Sequence, residues 1–140
     1  MNPLLSGLRR YLAQHPKLPR STKFWVCDFV VRQGKGDLAD LVSFANCVSV
    51  VGHTVLLLEP WHQPVPLKRT WCVFEVFRTI LHGAPFEVVM SSAQQAAFET
   101  ALVSDFDAIA AARSAVDVRT CTCTNDEDTA KLLDEIKRHV

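Results

Sequence analysis

Between Arg69 and Phe77 runs RTWCVFEVF, a nearly apolar stretch that holds an indole, a thiol and a carboxylate within five residues. Trp71 and Glu75 are four residues apart, which on a helix is one turn along the same side. Counted at about 100° per residue, Trp71, Glu75, Arg78, Thr79 and His82 share one wedge, and Val73, Phe74, Val76, Phe77, Ile80 and Leu81 fan round the rest. The wedge has two readings. As a solvated stripe it needs no function, and Glu75 with Arg78 is a surface ion pair worth little. Against that stands Trp71, because an exposed tryptophan is unusual unless it lines a cleft or an interface. Cys72 lies in the first turns, where the helix dipole favours a thiolate. A cysteine nucleophile needs a base, and His62 is the nearest in sequence; simple packing is the competing reading for that thiol.

These groups need elements to position them. Asn2 before Pro3 predicts a capped helix to about Gln14, with Leu4, Leu5, Leu8, Tyr11 and Leu12 on one face. FWVCDFVV, from Phe24 to Val31, has the length and β-branched content of a buried strand. Asp28 inside it is read as a buried group satisfied by its neighbours rather than as a catalytic acid. RQGKGD is a loop, Asp37 to about Val50 a helix stopped at Gly52, and His53 to Glu59 a second strand. PWHQPVP carries three prolines and is a stiff loop that cannot join a sheet. Leu67 to Leu81 is the helix of Glu75, and Phe86 to Met90 a third strand. Ser91 or Ser92 caps a helix to about Leu102, and Val103 to Ala112 is helical again. Ala115 to Cys123 reads as a polar edge strand, and Asn125 caps a last helix to His139. Strands alternating with helices predict crossover connections and a mostly parallel sheet. Ligands of such sheets sit beyond the carboxyl ends of the strands, and the loop before Glu75 reaches that rim.

Composition narrows the classes. The chain has 140 residues, the length of one domain, with 49% apolar and 21% charged residues, a globular balance. Lys plus Arg and Asp plus Glu both count 15, which gives no support to a nucleic-acid footprint. No signal peptide or membrane span is read in the sequence, so no membrane partner is expected. Five cysteines without a leader imply free thiols and a cytoplasmic setting. Cys121 and Cys123 form a C-x-C pair, but no further paired Cys or His completes a zinc set, and no metal is expected.

Three motifs in order carry a resemblance. Phe24, Trp25, Phe29 and Gln33, then Pro60 and Trp61, then Arg69, Trp71, Cys72 and Glu75 resemble the pattern of Toll/interleukin receptor (TIR)-like domains of algae, oomycetes and other protists. The resemblance covers nearly the whole chain after residue 24. It implies an α/β fold with a flavodoxin-like parallel sheet flanked by helices, in a single TIR-like domain over 1–140. TIR domains open with a strand, whereas this chain opens with what reads as the first helix, so the first strand of the family is lacking. Gly34 also stands where many relatives have histidine. The resemblance further implies a cytoplasmic signalling module that self-associates or docks on a repeat-containing protein. The alternative it implies is an NAD hydrolase, with NAD as substrate, no cofactor, and Glu75 as catalytic carboxylate. A carboxylate there stabilises an oxocarbenium-like state or holds ribose hydroxyls. Trp71, Trp61, Cys72, Arg32, Gln33 and Lys35 are the ligand-binding candidates, with Lys35 placed to meet a phosphate as a point charge.

Overall fold

The computed structural model describes residues 2–26 and 38–140. Six helices lie among the described residues: α1 (Pro3–Gln14), α2 (Leu38–Val51), α3 (Thr70–Leu81), α4 (Ser92–Ser104), α5 (Phe106–Ser114) and α6 (Asp126–Arg138). Among the described residues two strands, β1 (Thr54–Leu57) and β2 (Phe86–Val89), pair with each other in a sheet. The Thr54 N–H donates to Pro85 O and the Leu58 N–H to Val89 O, an equal step on both strands that makes the pair parallel. The class is α/β. None of the described helices is long and apolar enough to cross a membrane.

Local chemistry accounts for the boundaries. Asn2 Oδ1 accepts from the Leu4 N–H at 2.9 Å, opening α1 at Pro3. Gly52 at φ +66° and Gly83 at φ +63° stop α2 and α3, since only glycine takes that backbone without cost. Ser91 caps α4 and Asn125 caps α6. Asp105 both ends α4 and starts α5, its Oδ1 accepting from the Ala108 N–H at 3.1 Å; the expected start at Val103 is two to three residues early. Val65–Lys68 is a 3-10 turn, so α3 begins at Thr70 rather than Leu67.

Two expectations differ from the structure. The edge strand at Ala115 to Cys123 is a 3-10 turn, Val118–Thr120, followed by one parallel bridge between Arg69 and Thr122. Thr122 donates to Lys68 O and accepts from the Thr70 N–H, both at 3.0 Å. Its partner is thus the entrance of α3, whose first N–H groups lack intrahelical acceptors. The strand expected from Phe24 has no regular structure as far as Val26, and its remainder lies outside the described residues.

By backbone proximity the chain forms two compact units: Met1–Phe24, Val55–Pro66 and Val88–Asp117 in the first, Trp25–Thr54, Leu67–Glu87 and Val118–Val140 in the second. In the first unit Tyr11 stacks on His15 at 4.2 Å and meets the Phe24 edge at 5.8 Å. The core of the second joins Phe44, Ala45 and Val48 of α2, Trp71 and Phe74 of α3, and Leu132 of α6. Phe44 lies edge-on to Trp71 at 5.0 Å, and Phe74 has no exposed surface. Replacing Phe74 by Ala empties the middle of that cluster and is expected to cost about 3–5 kcal/mol. Asn125→Ala, which removes only a cap, is expected to cost about 1 kcal/mol. Urea unfolding followed by circular dichroism checks both values and their ratio.

Candidate functional site

The first two turns of α3 are covered nearly all round. Thr70, Trp71, Val73, Phe74 and Thr79 are buried, although Trp71 and Thr79 belong to the wedge expected to be polar. Ile80 and Leu81, expected to face the core, are exposed at 66% and 44%. Tertiary packing explains the difference. Helices α2 and α6 both pack on α3, and the indole joins Phe44 and Leu132 in one buried cluster. The Thr79 hydroxyl is buried because it is bonded: it donates to Glu75 O at 2.7 Å and lies 2.7 Å from Thr54 Oγ1 at the start of β1. A buried hydroxyl so satisfied costs little.

Glu75 is half-buried, as are Cys72 and Arg78. Arg78 Nη2 donates to His82 Nε2 at 2.9 Å. Trp61 belongs to the first unit, where its ring meets Phe98 at 5.6 Å and its backbone N–H donates to Gln94 Oε1 at 2.9 Å. Trp61 and His62 face each other edge-on at 5.5 Å, and Cys72 lies in the second unit. Arg32, Gln33 and Lys35 lie outside the described residues, as do Asp28, Phe29 and Gly34.

A hollow of about 320 Å³ opens beside the entrance of α3, lined by Arg69, Trp71, Thr122, Cys123 and Thr124. Its size falls within the range of small-molecule sites. Glu75 is not among its lining residues. Its walls are held by the Arg69–Thr122 bridge, and Cys123 by two neighbours: the thiol lies 3.1 Å from Asn125 O and 3.0 Å from Thr129 Oγ1. Nothing in the local run TCTCT at 120–124 marks Thr122 and Thr124 as lining residues, since three successive positions, 122 to 124, border the hollow. Three acids, Asp126, Glu127 and Asp128, follow in the first turn of α6, and Asp128 is buried with Oδ2 unpartnered. Among the described residues no group of three His, Cys, Asp or Glu is placed to hold a metal.

No family model, curated protein or solved structure matches this chain.

A second constellation lies in the first unit, after the carboxyl ends of both strands. Glu59 accepts from the Ser91 N–H at 3.3 Å and from the Ser91 hydroxyl at 3.1 Å. The Ser91 hydroxyl also accepts from the Gln94 N–H, which makes it the cap of α4. These bonds tie two rim loops together and leave Ser91 buried.

Of the four described cysteines, Cys47 is exposed, Cys72 and Cys123 are half-buried and Cys121 is buried. In a timed iodoacetamide reaction read by peptide mass, Cys47 is expected to be alkylated first and Cys121 last among these four. Early alkylation of Cys121 would show that the entrance of α3 is open rather than packed.

Proposed function

We propose that this chain is an interaction module acting through self-association, with the TIR-like, flavodoxin-like architecture that its three motifs resemble. The observation that carries this reading is apolar surface collected at one end of the second unit. Val50 (86% exposed) and Val51 end α2, Ile80 and Leu81 end α3, and Phe86 begins β2. The Thr54–Thr79 hydroxyl contact, the Thr54–Pro85 backbone bond and the 2.7 Å His53–Glu87 pair draw these segment ends together. Large apolar side chains gathered in water favour a partner that covers them.

The alternative, hydrolysis of NAD by Glu75, draws support from the half-burial of that carboxylate. It is the weaker reading, because the indole is only 4% exposed and the hollow that it borders is not lined by Glu75.

Sedimentation velocity over a concentration series tests the proposal. Wild type is expected to shift towards larger species as concentration rises, and Val50→Asp with Ile80→Asp to remain monomeric with unchanged circular dichroism. A wild type that stays monomeric throughout would remove the self-association reading. Nicotinamide release from NAD that disappears in Glu75→Ala would carry the enzymatic one in its place.

A further inference from the structure

The formal charge of zero conceals a segregation. Residues 2–26 hold five Lys or Arg (Arg9, Arg10, Lys17, Arg20 and Lys23) and no Asp or Glu, so the remainder holds ten against fifteen. Summed over the whole chain the charge argues against a polyanionic partner; taken by segment it does not.

Four of these cations, Arg9, Lys17, Arg20 and Lys23, are exposed in the first unit. Leu5, Arg9 and Leu12 stand at i, i+4 and i+7 of α1, along one line, and all three are exposed. The helix is anchored elsewhere on its surface. Gly7 and Tyr11 are buried, and a Cβ on Gly7 would lie 2.6 Å from a Leu57 methyl. Ser6 Oγ accepts from the Ser92 N–H at 3.1 Å. Beyond α1 the chain turns twice, Leu18 N–H to His15 O at 3.1 Å and Thr22 N–H to Pro19 O at 2.9 Å. The edge-on contact of Phe24 with Tyr11 brings it back to the helix. Lys17, Arg20 and Lys23, three residues apart along these turns, are exposed. None of the three has a carboxylate partner among the described residues. Arg10 Nε is buried without an acceptor.

We infer that this face docks on the headgroup surface of a bilayer rich in anionic lipid. The cations lie within the attractive field of such a surface, and Leu5 and Leu12 enter the boundary between headgroups and acyl chains. No spanning helix is needed for that mode. A nucleic acid would satisfy the cations but leave the two leucines in water, which is why the bilayer is the favoured occupant. The inference is independent of the self-association surface, which lies in the other unit.

Co-sedimentation of the full chain with vesicles tests it, using phosphatidylcholine alone and phosphatidylcholine with roughly 30% phosphatidylserine. The protein is expected to pellet with the anionic vesicles only, less so as salt rises. Lys17→Glu, Arg20→Glu and Lys23→Glu together are expected to lower the partition coefficient by about 100-fold or more. Leu5→Ser with Leu12→Ser is expected to lower it by about tenfold or more, circular dichroism being unchanged in both variants. Equal or absent binding to the two vesicle types, or wild-type binding by the charge-reversed variant, would overturn the proposal. Unchanged binding by the serine variant would refute docking through the leucines. Binding to an RNA oligonucleotide but not to anionic vesicles would assign the face to the other polyanion.

Discussion

The second unit depends on one piece of packing: helix α3 pressed between α2 and α6, with Trp71 and Phe74 in one buried cluster with Phe44 and Leu132. Each of these aromatic rings removes enough apolar surface from water to matter against a net stability of a few kcal/mol. The same packing fixes the neighbouring polar groups. It requires Thr79 to find hydroxyl and carbonyl partners, which it does at Thr54 and Glu75 O, and it sets the entrance of α3 against Thr122. Ordering of the hollow at Arg69 is a consequence of that core. The tryptophan that invites a catalytic reading lies edge-on to Phe44 in that core.

Much of the architecture was legible because it is written in local chemistry. Asn2 with Pro3, Ser91, Asn125, Gly52 and Gly83 are caps and stops whose side chains or backbone freedom act within a few residues, and they set helix ends close to where they fall. The strands β1 and β2 were legible from the short apolar runs that hold them, His53 to Glu59 and Phe86 to Met90. The orientation of α3 was not, because a helical wheel assumes one wet and one dry side. A helix enclosed by two others and tied to a strand start has no such division over its first turns. Ile80 and Leu81, at the end of the helix, are exposed despite their type. The supposed edge strand failed for a related reason: its one ladder contact, at Thr122, is made with the helix entrance, a partner that no local pattern announces.

The candidate site was legible to a lesser degree. Glu75, Trp71 and Cys72 were found by type and spacing, and they do share α3, but spacing along a helix says nothing about what lies opposite. The hollow beside Arg69 is built from residues more than fifty positions apart in sequence. The run of cations in α1 and its following turns was hidden by a different operation, the summing of charge over a chain whose acids and bases are unevenly placed. Two exposed groupings of opposite character follow from these placements: an apolar one where helix ends and strand starts meet in one unit, and the cations of α1 and its following turns in the other.

The central claim is that the Trp71 indole, although it borders the hollow beside Arg69, is held in the core of the second unit. Its most direct test is the fluorescence of a Trp25→Phe, Trp61→Phe protein, in which Trp71 is the sole indole. The account predicts blue-shifted emission, poor quenching by acrylamide and no change on adding NAD, because the ring is 4% exposed. Red-shifted, readily quenched emission that NAD suppresses would contradict it and return the indole to a ligand site beside Glu75.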